Sequence, residues 1–494
     1  MPPDAFNTFD WTPELRERLG RDALAWVLDW FAGVGERRLY PEIDARSLEL
    51  RLASDVPIEP QAPDAMFAEF AWHIAENSRD NGHPRMFGYV QSSGTFVGAV
   101  ADFLASALNA NVTSWRSSPA ATTIERQVVE WMKELAGFDP AGHGLLVSGG
   151  SMANLVGVVT AATAAHQDVA QRGVRSLPGE PVIYASHLVH MSIPKAAAIA
   201  GLGRDAVRRL PVDTEFRLDV TALDRAIHED RRAGRVPICV VVNVGDVNTG
   251  AIDPIGAVRE VCRSRSVWLH ADGAYGAFAR LAPSARKHLA DLHLVDSISL
   301  DPHKWLFVPV DSGCILVRDP AALARAFRYA AEYVDVIATP TMSDYAFWDY
   351  GPELTRRFRA LKIWMALKAY GVRAFSEAIE RNITLARRLA EMIDESDDFE
   401  RLAPVPLSIV CFRFTGTRKS HSDRAQAEDR DSEERLNDLN RTLMLRVQQG
   451  GRSYLSNATI GSRFALRACI VNHRTTEADL VALLDEIRLA ARES

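Results

Sequence analysis

Leu15, Leu19, Ala23, Trp26, Val27 and Trp30 fall near one face of a helical wheel, which predicts an amphipathic helix early in the chain. Pro57, Pro60 and Pro63 punctuate the stretch beyond this helix. Residues 151–171 again read as helix, with Leu155, Val158, Val159 and Ala162 in the i, i+3, i+4, i+7 register. Short β-branched runs at 182–185, 239–244, 267–271, 297–300 and 314–317 are apolar almost without interruption. Such runs predict strands of a mostly parallel sheet, because helices covering both faces leave no polar side. Strands alternating with helices make the middle of the chain an α/β domain. Residues 354–395 read as long helical segments leading to a second α/β region, with strands at 407–414 and 463–471 and a helix at 477–490. The segment 415–435 is rich in Lys, Arg, Asp, Glu and Ser and has no apolar period. It reads as an exposed, mobile insertion or as a solvated charged helix.

Composition mainly excludes. A length of 494 residues suggests two to four structural units, and 47% hydrophobic with 24% charged residues rules out disorder as the main state. The 57 basic and 64 acidic residues leave a net charge of −7. With no basic stripe, a nucleic-acid partner is not expected. The longest apolar stretch, 155–165, is far below the ~20 residues needed to cross a bilayer. The start, Met1-Pro2-Pro3-Asp4-Ala5, has neither the basic residues nor the apolar core of a secretory signal. Five cysteines stand singly with no CxxC, against a disulfide framework or a zinc site. The expected setting is cytoplasmic, with no membrane partner and no metal.

Four polar clusters interrupt the pattern at strand ends, where open α/β sheets place ligands. Ser148-Gly149-Gly150-Ser151 precedes a helix, and a glycine turn feeding a helix N-terminus suits a phosphate or carboxylate. It equally suits a plain N-cap, and it lacks the GK[ST] of a Walker loop. His270-Ala271-Asp272-Gly273-Ala274-Tyr275-Gly276 and Asp301-Pro302-His303-Lys304-Trp305 put an acid and a lysine at the ends of successive strands. Such a lysine can form a Schiff base while the acid holds a protonated ring nitrogen; the alternative is a partly buried ion pair. Ser186-His187-Leu188-Val189-His190 offers two histidines, either structural or, with no third ligand in view, a poor metal pair.

Taken together and in order, these clusters resemble the group II amino-acid decarboxylases that depend on pyridoxal phosphate, most of all the branch acting on aromatic L-amino acids. The likeness includes His83-Pro84-Arg85-Met86-Phe87-Gly88-Tyr89, Ser118-Pro119-Ala120 with Glu125, and Ser148-Gly149-Gly150-Ser151-Met152-Ala153-Asn154. It continues through Tyr184-Ala185-Ser186, His190, the two acid and lysine blocks, and Arg356-Arg357-Phe358-Arg359-Ala360-Leu361-Lys362-Ile363-Trp364. The resemblance implies fold type I, aspartate-aminotransferase-like, with a central, mostly parallel seven-stranded sheet. It implies an N-terminal helical dimerisation segment over 1–85, a large cofactor-binding domain over 86–372 and a small C-terminal α/β domain over 373–494. By the same resemblance Lys304 carries the cofactor, Asp272 pairs with its ring nitrogen, Ala274 packs under the ring and His190 stacks above it. Gly150 and Ser151, helped by His303, bind the phosphate, while Ser92 replaces a family threonine near the cofactor and the substrate carboxylate, and Asp301 replaces an asparagine. Tyr333, on a loop contributed across a homodimer interface, is the proton donor, with Tyr329 as competitor.

Departures from the family bear on the substrate. Gly245-Asp246-Val247 stands where the family has a threonine hydroxyl, and Asn81, Asn111 and Thr113 stand at apolar positions of its aromatic pocket. Burying an indole there would forgo about 25 cal/mol per Å2 of lost apolar contact. An aromatic L-amino acid is thus the family default. Polar or acidic substrates (glutamate, aspartate or 2,4-diaminobutyrate) are the alternative. Oxygen-using aromatic aldehyde synthases replace the loop tyrosine or the stacking histidine, both of which are kept here. An aminotransferase would need a C-terminal arginine, for which Arg467 is suitably placed, and a non-catalytic scaffold would not be expected to retain Lys304 and Asp272.

Overall fold

The computed structural model describes residues 9–329, 345–416 and 430–493. Seven strands form the central sheet: β1 (His143–Val147), β2 (Pro181–Ser186), β3 (Val207–Leu210), β4 (Val236–Asn243), β5 (Trp268–Asp272), β6 (Ser297–Leu300) and β7 (Gly313–Val317). Their order is β1-β7-β6-β5-β4-β2-β3, and β7 alone runs antiparallel to its neighbours. β4 shows why the apolar runs are continuous. Cys239 and Val241 pack with Val158, Ala161 and Ile193 on one face, whereas Val240 and Val242 pack with Leu223, Ile227 and Val258 on the other. Each face is a helix-covered core, so every side chain must be apolar.

β1 and β3 are additions to the sequence expectation. β3 is an edge strand and carries Arg208 and Arg209, which break the apolar run. β1 holds Gly144, where a Cβ would come within 2.2 Å of the Ile315 carbonyl oxygen. Glycine there lets the two backbones approach, and it also weakens the strand signal. The helix expected over 151–171 is Gly150–Ala165, followed by the short turn Val169–Arg172.

A second, four-stranded antiparallel sheet comprises β8 (Phe399–Arg401), β9 (Ile409–Phe414), β10 (Ser456–Ile460) and β11 (Arg463–Cys469), in the order β10-β11-β9-β8. Its core includes Phe412, Leu466, Leu443 and Leu484, from the strands and the helices Arg430–Gly450 and Glu477–Arg492. From residue 430 the charged segment is therefore helix, not loose insertion; 417–429 lie outside the described residues. The long helix Ala360–Asp394 is interrupted at Gly371, whose φ of 69° suits glycine. At the other end of the chain, the helix Pro13–Ala32 buries none of its residues. All five cysteines are free and buried, and no helix among the described residues is long and apolar enough to cross a membrane.

Candidate active site

The polar clusters converge at the C-terminal ends of β2, β4, β5 and β6, around a cavity of about 600 Å3. Its walls include Gly150, Ser151, His190, Asp272, Ala274, Asp301, His303 and Lys304. Ser92 stands behind this wall, its Oγ donating to the His303 carbonyl oxygen at 2.9 Å.

Asp272 ends β5, and a directed chain of hydrogen bonds holds its carboxylate. Trp268 Nε1–H donates to Ser297 Oγ (2.9 Å), leaving the serine proton for His270 Nδ1 (2.8 Å). His270 Nε2–H is then the donor to Asn154 Oδ1 (2.9 Å), and Asn154 Nδ2 donates to Asp272 Oδ2 (2.9 Å). Ser299 Oγ and the Ala274 N–H donate to Oδ1 at 3.1 and 3.3 Å. Burial pushes the His270 pKa down to about 4, so near neutral pH the imidazole is uncharged, as this chain requires. Gly157 makes room for it: a Cβ there would lie 2.7 Å from the His270 ring.

Lys304 leaves the neighbouring strand end, and β5 and β6 are paired in parallel. Its Nζ lies 3.0 Å from Asp301 Oδ2, and His303 Nε2 lies 3.7 Å from the same oxygen. The helix Gly150–Ala165 opens beside them without a side-chain cap, leaving its first N–H groups available. A Cβ on Gly150 would come within 2.9 Å of Asp301 Oδ2 and 3.0 Å of Ala274 Cβ, so glycine keeps the cleft between them open.

His190 follows β2. The Ser192 N–H points at its Nδ1 (3.3 Å), which leaves the proton on Nε2, and burial lowers its pKa. Ser192 Oγ also accepts from Asn154 Nδ2 at 2.8 Å, so the histidine and Asp272 share one scaffold. Tyr333 lies outside the described residues, whereas Tyr329 is exposed and does not line the cavity.

This arrangement has known counterparts. The sequence model of the pyridoxal-dependent decarboxylase conserved domain matches residues 46–415. The chain belongs to this family. It is 33% identical over 480 residues to an aromatic-L-amino-acid decarboxylase of Bacillus atrophaeus, covering 97% of this chain and 96% of that one. A crystal structure of Oryza sativa TDC with PLP and tryptamine superposes with a TM-score of 0.89 at 27% identity, covering 99% of each chain. Mouse CSAD gives a TM-score of 0.90 at 27% identity over 97% of this chain and 99% of that one. The protein is a carboxy-lyase, and its cofactor is pyridoxal phosphate. Its cavity fits that group: a lysine, a carboxylate fixed by several donors and an uncapped helix N-terminus face one glycine-floored cleft.

Several features of this decarboxylase escape the sequence. Asn154, Ser192 and Ser299 carry the Asp272 scaffold, and the one available signal was an asparagine inside an apolar helix. Asp246, at the missing threonine, is a buried loop organiser: it bonds the Thr249 hydroxyl and accepts from the Asn248 and Ala251 N–H groups at 2.7 and 3.0 Å. Asn81, Asn111 and Thr113 do not line the cavity within one chain. Asn111 Oδ1 instead accepts from the Arg356 N–H (2.9 Å), and Asn81 Oδ1 from Arg79 Nε (2.9 Å). The arginine-rich motif is likewise architectural, since buried Arg356 pairs with buried Glu125 and donates to the Leu146 carbonyl (2.7 Å) beneath the Ser148–Gly149 turn. Arg467 enters from β11. It is 3% exposed, lines the cavity, and has no partner for Nε or Nη2.

Proposed function

We propose that the enzyme removes CO2 from an aromatic L-amino acid and releases the amine. The observation that carries this reading is the placement of Lys304 and Asp272 on adjacent strand ends in one cavity. The substrate class rests on the names of the Bacillus atrophaeus and Oryza sativa relatives. When bound, the cofactor supplies an electron sink conjugated to the substrate Cα. Lys304 attaches it, Asp272 keeps its ring nitrogen protonated, and Ala274 and His190 enclose its two faces. Gly150, Ser151 and His303 hold the phosphate, with Asp301 and Ser92 bracing His303 and Lys304 from behind. Arg467 holds a substrate carboxylate on its open nitrogens, since a buried guanidinium with unpaired N–H groups is stabilised by an anion. Release of CO2 from the proteinogenic amino acids, DOPA and 5-hydroxytryptophan tests the whole. Fastest release from an aromatic member is expected, and release only from acidic ones would overturn the substrate class.

Tyr333 is the donor of the proton that Cα needs after CO2 leaves. Tyr333→Phe should keep the cofactor attached and slow amine release by ~10²–10⁴, the usual worth of a general acid. Under air, the stalled carbanion would be oxidised by oxygen, giving aldehyde, ammonia and peroxide. An unchanged ratio of amine to aldehyde would transfer the role to Tyr329, His190 or a water.

A homodimer completes the reading. Leu24, Leu28 and Trp72 of the N-terminal segment and Phe103, Leu104 and Leu108 of the helix Phe96–Leu108 are exposed. Large apolar side chains left exposed in this way are covered by a two-fold partner in many oligomers. Light scattering at micromolar concentration should return twice the 54.6 kDa chain mass; an active monomer would defeat the idea.

A further inference from the structure

We propose that Ser456 is the positioning residue that aims Arg467, an inference that rests on the carboxylate-holding role given to Arg467 above. β10 and β11 pair antiparallel with Ser456 directly opposite Arg467. Arg467 Nη1 donates to Ser456 Oγ at 2.7 Å, with both residues buried. A guanidinium is planar, so holding one Nη sets the plane and direction of the other two nitrogens. Those two, Nε and Nη2, form the side-on edge of the fork, and both lack partners. That edge matches a carboxylate bidentately. The serine thus determines where the substrate carboxylate sits relative to the cofactor.

Ser456 has a second duty. Its Oγ also accepts from the Tyr89 N–H at 3.2 Å, and Tyr89 has a φ of 58°, where bulky residues rarely sit. The preceding Gly88 lies so close to Tyr454 that a Cβ would come within 2.4 Å of its ring. One hydroxyl therefore joins the Tyr89 loop to β11 at the cavity wall, fixing the Tyr89 backbone and the Arg467 fork together.

The test is a stopped-flow titration of holoenzyme, read from cofactor absorbance within the first turnover, with the amino acid decarboxylated fastest and with its amine product. Ser456→Ala should weaken amino-acid binding by about tenfold or more, the scale of a lost hydrogen bond to a charged group, and leave amine binding unchanged. Ser456→Thr should restore it, and Ser456→Ala added to Arg467→Lys should cost nothing further. If the alanine variant folds poorly, Ser456→Cys keeps the volume with a weak acceptor and should show the same selective loss. Equal weakening of both ligands, or none, would overturn the role of Ser456. Arg467→Lys that leaves the preference for amino acid over amine intact would instead overturn the carboxylate reading of Arg467.

Discussion

Lys304→Ala is expected to abolish turnover, lowering it by at least ~10³-fold, and to leave no covalently held cofactor. The reason is positional. Among the described residues no other lysine lines the cavity. The buried amines elsewhere are committed: Lys362 Nζ to Asp102 and the Pro309 carbonyl, both at 3.0 Å, and Lys133 Nζ to the Pro140 and Gly142 carbonyls at 2.7 and 2.8 Å. Lys304 itself has only Asp301 beside it, so its Nζ is held at the cavity wall without being locked into backbone. Borohydride reduction of wild-type enzyme and peptide mapping should place the pyridoxyl group on Lys304. Label on any other lysine would show that the site is wrongly placed. The alanine variant should be colourless after dialysis, with the melting transition of cofactor-free wild-type enzyme.

The fold was legible where burial on both sides forces a uniform residue type. β4 had to be apolar up to its end and β5 nearly so, with His270 its one polar interior position, so the polar residues at their ends, Asn243 and Asp272, stood out against them. Edge strands escape this logic. β3 tolerates Arg208 because one flank faces solvent, where the guanidinium reaches Glu229 at 2.8 Å. The site divides in the same way. Lys304, Asp272 and His190 lie next to strand ends and could be found by scanning the chain, but the groups that orient them are brought in by tertiary contact. Asn154 reaches Asp272 across 118 positions, and Tyr89 reaches Ser456 across 367. No spacing within the sequence encodes such pairs. Asn111, which the family resemblance put at a substrate-pocket position, gives its side chain to the Arg356 backbone within one chain, a partner that no residue type announces.

Asp272→Asn should separate charge from shape. Asparagine has nearly the volume of aspartate but a single acceptor oxygen; with that oxygen turned to Asn154 Nδ2, its amide can donate to Ser299 Oγ, so the scaffold of Trp268, Ser297, His270 and Asn154 should persist. On the role proposed for Asp272, what disappears is the negative charge that would keep a cofactor ring nitrogen protonated, and with it the drive to accept electrons from Cα. Attachment to Lys304 should survive, because Schiff-base formation takes place at the other end of the cofactor. CO2 release should fall by ~10²-fold or more, the scale of losing one fixed electrostatic partner of a developing charge. Asn154→Ala, which leaves the charge and removes one of its props, should cost less. The fall should also appear mainly in kcat, since on the proposed role Asp272 acts through the cofactor ring and makes no contact with the substrate. Full cofactor occupancy with kcat within threefold of wild type would remove Asp272 from the chemistry and leave it a packing role beside Ala274.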